Sequence, residues 1–331
     1  MKVVIIGATG NLGSAATREL TAAGDEVVGI ARRRPDVPQD ADASVRWHAA
    51  DVSTDALEPL LEGADAVVHL AWKFQPTRHQ DITWETNAVG TRRVLDAAAT
   101  VGVPTVVAAS SVAAYSPVDH DRPVDESWLT DGTSEATYCR EKAYNERVLD
   151  AFELANPGTR VVRLRPAFVF QRSAAREQRR IFAGPLVPAM LFERSRIPVL
   201  PIPRGLRMQA VHAADVGRAI VAAVHRPVSG PFNLAGDGVL RRPEFGELFG
   251  ARTVEVPPIV VRRALGAAWR AHVARVPGSL FEALMHVPVL SSDRARAELG
   301  WEPRHTGMDA LEALLSGVTE HGGSTMPPLH R

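Results

Sequence analysis

Lysine is nearly missing from this chain. Of its 331 residues, 38 are basic, yet only Lys2, Lys73 and Lys142 are lysines. A bias toward arginine and alanine codons accounts for the scarcity, which makes each lysine worth locating. Cysteine is scarcer still: the single Cys139 excludes an internal disulfide and suits a reducing cytoplasm. No charge of either sign is in excess. Basic and acidic residues both number 38, so no net field draws nucleic acid or an anionic membrane. Long apolar runs are missing as well. None reaches the roughly 18 residues that span a bilayer. No signal peptide is expected either, because the opening apolar run is short and belongs to the fold. The 11 histidines are scattered without paired ligand spacing, so no metal site is expected. Global disorder is excluded by 45% apolar and 23% charged residues.

What is present concentrates at the start. The apolar run over residues 2–6 leads into Gly7-Ala8-Thr9-Gly10-Asn11-Leu12-Gly13, and residues 14–23 read as a helix. A buried strand, a glycine turn and a helix start make a diphosphate cradle. Glycines let the backbone turn and approach a ligand, and the helix start offers unpaired N–H groups and a positive dipole end. The G-x-x-G-x-x-G spacing is a variant of the dinucleotide fingerprint.

Strand and helix patterns then alternate. Short β-branched runs at 27–30, 45–48, 66–70, 104–109 and 160–164 are separated by helical stretches at 55–61, 82–100 and 134–153. This alternation predicts an α/β fold, a doubly wound parallel sheet of the Rossmann type. The rhythm breaks after Pro166 and returns at 208–211, 213–225 and 230–234. We therefore expect a dinucleotide-binding domain over 1–170 and 206–235, and a smaller, mainly helical substrate lobe over 171–205 and 236–322. A mobile tail is expected over 323–331. Residues 241–302 read as small helices with little strand, and 259–273 as an amphipathic helix packed on one face.

Chemistry gathers around one of the three tyrosines. Tyr138-Cys139-Arg140-Glu141-Lys142 sets Tyr138 and Lys142 four apart, on one helix face. A free phenol, with a pKa near 10, is a poor acid–base group at neutral pH. A neighbouring cation, with the positive nicotinamide of an oxidised cofactor, lowers that pKa and makes Tyr138 usable. Ser111, after the fifth strand, can hydrogen-bond a reacting oxygen as it gains charge. Cys139 points about 100° away around the helix, which argues against a nucleophile.

With these residues in view, the chain resembles the extended short-chain dehydrogenase/reductases, the epimerase and dehydratase group. The resemblance rests on Gly7/Gly10/Gly13, Asp51-Val52, His69-Leu70-Ala71, Asn87 in Thr86-Asn87-Ala88-Val89-Gly90, and Ser110-Ser111-Val112-Ala113-Ala114-Tyr115. It continues through Tyr138-x-x-x-Lys142, Arg165-Pro166, Val211-His212-x-x-Asp215-Val216 and Leu299-Gly300-Trp301-x-Pro303. It covers residues 1 to about 235 well and the remainder loosely. It implies Tyr138 as acid/base, Lys142 on the nicotinamide ribose, and Ser111 (ahead of Ser110) on the substrate oxygen. Asn87 is the implied fourth member, bracing the helix or a relay water, with a helix-interior polar residue as the alternative. Asp51 would face the adenine, with Val52 lending an N–H; Asp51 also reads as a turn cap. The implied cofactor set is Gly7, Thr9, Gly10, Asn11, Leu12, Gly13, Arg32, Arg33, Asp51, Val52, Leu70, Ala71, Lys142 and Pro166.

Cofactor choice is written after the second strand. An acidic residue there holds ribose hydroxyls in NAD-binding folds. Here Ala31 takes that place and Arg32-Arg33-Arg34 follows, which favours the 2′-phosphate of NADP(H), with NAD(H) still open. A solvated basic loop is the alternative. The resemblance also narrows the reaction. Its sugar dehydratases carry Asp-Glu after the catalytic Ser/Thr, whereas Val112-Ala113 stands here, so dehydration is not expected. Arg207 lies near the place of a diphosphate-holding arginine, but in a different register. Trp72, Phe74, Trp84, Phe168 and Phe170 are candidate pocket edges and lean toward a less polar substrate, with a place in the core as the alternative for all five. The reading is hydride transfer to or from a carbonyl or secondary alcohol. Epimerisation with retained NAD(P) is the first alternative and a non-catalytic dinucleotide sensor the second. The partner is a small molecule; a homodimer is left open.

Overall fold

Residues 1–35, 45–74, 79–182, 192–274 and 276–319 are described by a computed structural model. The tail expected over 323–331 lies outside them. Eleven strands are described: β1 (Lys2–Ile6), β2 (Glu26–Ala31), β3 (Val45–Ala49), β4 (Ala66–His69), β5 (Thr105–Ala109), β6 (Arg160–Pro166), β7 (Phe168–Phe170), β8 (Val199–Pro203), β9 (Ala210–His212), β10 (Gly230–Leu234) and β11 (Arg252–Val256). Seven form one parallel sheet in the order β10-β6-β5-β4-β1-β2-β3. The first helices are α1 (Asn11–Ala22), α2 (Glu58–Leu61), α3 (Gln80–Trp84), α4 (Gly90–Thr100), α5 (Thr137–Ala155) and α6 (Ala175–Phe182). The later ones are α7 (Ala213–His225), α8 (Arg242–Phe249), α9 (Pro258–Arg270), α10 (Gly278–Met285), α11 (Asp293–Leu299) and α12 (Gly307–Thr319). No described helix is long and apolar enough to cross a membrane.

The period of two in β1 explains its apolar run. Val3 and Ile5 pack on one face with Leu20 of α1 and Ile220 of α7. Val4 and Ile6 pack on the other with Leu95 of α4 and Phe152 of α5. Both faces are covered by helices, so the strand needs no polar side. The order of strands reverses around β1, which pairs with β2 on one side and β4 on the other. Ligands of doubly wound sheets bind outside such a switch point. There the loops after β1 and β4 meet so closely that a Cβ on Gly7 would lie 2.6 Å from Ala71 N. The φ of +89° at Gly7 adds a second reason for glycine.

The C-terminal elements are locked on by Asp215, which is wholly buried. Its carboxylate accepts the backbone N–H groups of Arg304 (3.0 Å) and His305 (3.1 Å), and its carbonyl accepts Trp301 Nε1–H at 2.7 Å. His212 caps α7 by accepting the N–H of Ala214 and stacks on His305. These contacts join two motifs nearly ninety residues apart in sequence.

Three local readings change. The helix expected over 55–61 is confined to Glu58–Leu61, behind a turn held by Asp51 and Asp55. The stretch after 241 does contain strand, since β11 pairs in parallel with β8. Pro201 and Pro203 disguised β8, and a two-stranded ribbon tolerates them because both strands are edges. Helix α9 forms where an amphipathic helix was expected, but none of its residues is buried, and Ile259 and Val260 remain about half exposed, at 46% and 55%.

Candidate active site

A groove of about 90 Å³ opens at the switch point. Gly7, Thr9, Gly10, Arg32, Arg33, Asp51, Val52, Leu70 and Ala71 line it, joined by Trp72 and Lys73. Asn11, Leu12 and Gly13 form the first turn of α1. No side chain caps that helix and no acidic residue stands in its first turn. Its first ladder bond runs from Ser14 N to Gly10 O, 2.9 Å, leaving the preceding N–H groups to an outside acceptor. A Cβ on Gly13 would lie 2.1 Å from Gly7 O, so the tight turn admits only glycine there. Backbone donors and close approach fit a dinucleotide diphosphate.

Some expected contacts are spent within the protein. Asn11 Nδ2 donates to Val169 O (3.1 Å) and Asn11 Oδ1 accepts from Gln171 Nε2 (2.9 Å), which docks α1 on the segment after β7. Asp51 Oδ1 accepts the N–H of Ser53 at 2.9 Å, so it caps a turn while lining the groove. Pro166 is buried at the end of β6, outside the groove lining. Arg32 is exposed and Arg33 half-buried, both at the groove edge.

The acid–base pair lies on α5. The Ser111 side chain stands close enough to the Tyr138 phenol to pull on its proton. Ser111 Oγ also accepts the N–H of Ala113 at 3.1 Å, which fixes the hydroxyl at the end of β5. Burial pushes the Tyr138 phenol up to about 12, against the pull of Ser111. The lowering expected from the sequence needs Lys142 and an oxidised nicotinamide together, and the protein alone supplies only the first. The ammonium is engaged elsewhere: Lys142 Nζ donates to Ala109 O at 2.9 Å and lies 3.4 Å from the centre of the Trp72 ring. A phenol this high holds its proton at neutral pH and can donate it. Burial lowers Lys142 to about 7, with Glu146 and Glu141 opposing.

Two buried carboxylates escaped the sequence reading. Glu146 is fully buried and takes a two-pronged contact from Arg165, 2.9 and 2.8 Å, together with the Ser110 hydroxyl. Ser110 is thereby occupied, which leaves Ser111 as the hydroxyl at Tyr138. Glu141 accepts from Thr83 Oγ1 (2.6 Å) and Asn87 Nδ2 (2.7 Å). Asn87 grips the Lys73 peptide in both directions, at 2.7 and 3.1 Å, from inside a π-helical turn, Glu85–Val89. Glu141 stands one position before Lys142 and Glu146 four after it, where helical spacing alone does not show that a carboxylate is buried. The hint was Arg163 and Arg165 inside a strand that the sheet must bury.

A second cavity, about 360 Å³, is lined by Tyr138 and shares Lys73 with the groove. Phe74, Thr83, Glu135, Glu141, Trp269 and Leu280 are among its walls. Of the aromatic edges named from sequence, Trp72 and Phe74 contact the Tyr138 ring edge-on, with centroids 5.8 and 4.6 Å away. The other three do not assemble there. Trp84 lies on Tyr144 at the surface, and Phe168 and Phe170 pack into cores beneath the C-terminal helices. Cys139 is buried away from the site, its thiol pushed up to about 12 by burial. Arg207 pairs with Asp121 at 3.3 Å and donates to Val118 O at 3.1 Å.

A switch-point groove beside a serine, tyrosine and lysine defines an enzyme of the short-chain dehydrogenase/reductase type. More particularly, the chain matches the NAD dependent epimerase/dehydratase family over residues 3–235 and belongs to it. It is 29% identical over 322 residues to an uncharacterized protein of Mycobacterium tuberculosis, covering 96% of this chain and 30% of that protein. The chain thus spans less than a third of that relative's length. An epimerase family protein of Mycobacterium leprae is 30% identical over 278 residues, 80% of this chain and 83% of that one. Among solved structures, MoeE5 in complex with UDP-glucuronic acid and NAD superimposes with a TM-score of 0.70 at 22% identity, over 97% of this chain and 100% of that one.

Proposed function

We propose that the protein is an NADP(H)-dependent oxidoreductase that interconverts a carbonyl and a secondary alcohol on a small, rather apolar cytoplasmic substrate. The carrying observation is that Tyr138, with Ser111 beside it, lines a 360 Å³ cavity walled in part by Phe74, Trp269 and Leu280. The nicotinamide supplies or accepts the hydride when bound. Tyr138 donates its proton to the substrate oxygen as that oxygen gains an electron pair, and takes it back in the reverse direction. The Ser111 hydroxyl steadies the same oxygen. Lys142 holds the nicotinamide ribose, while Gly7, Gly10 and the start of α1 hold the diphosphate. Val112 and Ala113, apolar and buried, have no proton to move, which removes dehydration.

Arg32 and Arg33 at the groove edge support NADP(H) over NAD(H). Replacing both by alanine should cost about tenfold in NADP(H) affinity and leave NAD(H) unchanged; fluorescence titration reads both. Equal losses for the two cofactors would reduce the pair to surface charge. Epimerisation is the second reading, favoured by the epimerase family relative. A substrate screen followed by absorbance and mass separates the two. A reductase consumes reduced nicotinamide as product forms. An isobaric product with unchanged cofactor would establish the epimerase.

A further inference from the structure

Trp72 stands where the groove meets the acid–base pair. It lines the dinucleotide groove and also the small cavity shared by His69, Ala109 and Lys142. Its ring lies over the Lys142 ammonium and meets Tyr138 at a right angle. Its Nε1–H is buried and has no partner among the described residues. A buried indole N–H ordinarily finds an acceptor, so an orphan lining a groove points to a ligand atom.

The backbone beside it is fixed. Asn87 binds both the N–H and the C=O of Lys73, and Glu141 holds the same amide. The indole therefore turns on its own side-chain torsions. The ammonium of Lys142 has three N–H groups, of which one goes to Ala109 O. A ring centred 3.4 Å from Nζ leaves no room for a hydroxyl between them. On that side, the indole and a ribose hydroxyl exclude each other. The cation–π contact meanwhile stabilises the charge of a lysine that burial would otherwise tend to neutralise.

We propose that Trp72 is a dinucleotide-contacting residue: its indole caps the Lys142 ammonium, yields that place to the ribose hydroxyls, and turns its Nε1–H onto the bound dinucleotide. The role rests on the dinucleotide-binding reading given above. The test uses the full chain labelled with 5-fluorotryptophan, in which Trp72 is identified among six tryptophans by its loss in Trp72→Phe. On titration with NADP⁺ or NAD⁺, the Trp72 fluorine resonance should move. That of Trp301, whose N–H is held by Asp215 O, should not. Trp72→Phe keeps an aromatic face over Lys142 and removes only the donor. Its dinucleotide affinity by calorimetry should fall about tenfold, one hydrogen bond's worth, with an unchanged melting temperature. Wild-type protein that bound neither dinucleotide would overturn the dinucleotide reading, and this role with it. Binding with an unmoved Trp72 resonance and undiminished affinity in Trp72→Phe would overturn the role of Trp72 alone.

Discussion

The groove and the cavity, which meet at Lys73, are built in different ways. The groove is lined by short runs at consecutive strand ends: Gly7, Thr9 and Gly10, the end of β2, Asp51-Val52 and Leu70-Ala71. The cavity is mostly side chains, brought together from residues as far apart as Phe74, Glu141, Trp269 and Leu280. Recognition of the dinucleotide is therefore local in sequence and tolerates little change of shape. Recognition of the substrate is assembled over long range and can vary without touching the groove.

The contrast breaks most sharply at Gly13. Its missing Cβ would lie 2.1 Å from Gly7 O and 2.6 Å from Ala8 C, both backbone atoms that cannot step aside. Gly13→Ala should destabilise the protein by at least about 3 kcal/mol, seen as a lower denaturation midpoint, and abolish dinucleotide binding. Normal binding would mean that the turn has room the glycine contacts deny.

A smaller effect comes from the lysine between the two regions. Lys142 titrates at about 7 when folded, against an ordinary 10.5. Between those values the unfolded chain binds a proton that the folded chain does not, so the stability contributed by this group rises with pH across that window. Urea unfolding of wild type and Lys142→Met, at steps from pH 7 to 10, should show the wild type gaining relative to the variant. A constant difference would place the folded pKa near its ordinary value. The smallest change is expected at the cavity wall. Trp269→Ala should raise KM about tenfold, within the range of a lost apolar contact, and leave dinucleotide affinity alone. A fall in both would join the two regions into one.

How much of this was legible follows the same division. The parallel sheet, the switch-point turn and the Ser111, Tyr138 and Lys142 cluster were readable, because each rests on residues close in sequence or on the regular alternation of strand and helix. The pair β8 and β11 was not, since prolines and exposed side chains hid the strand pattern. For Phe168 and Phe170 the core alternative holds, and Trp84 lies at the surface; an aromatic residue reads the same in sequence in all these places. How far Lys142 alone can tune Tyr138 was not legible, because it depends on where the ammonium points. That is set by Ala109 O and Trp72, more than thirty residues away. Glu146 gave no sign of its burial until Arg165 was placed opposite it.

The most direct measurement is made on Tyr138→Phe, which removes one oxygen from the boundary between groove and cavity. Dinucleotide dissociation constant and turnover are measured on the same preparation. With Tyr138 as the proton donor, affinity stays at the wild-type value while kcat falls by roughly 10²- to 10⁴-fold. Turnover close to wild type would contradict that role, and so would a loss of turnover matched by an equal loss of dinucleotide affinity.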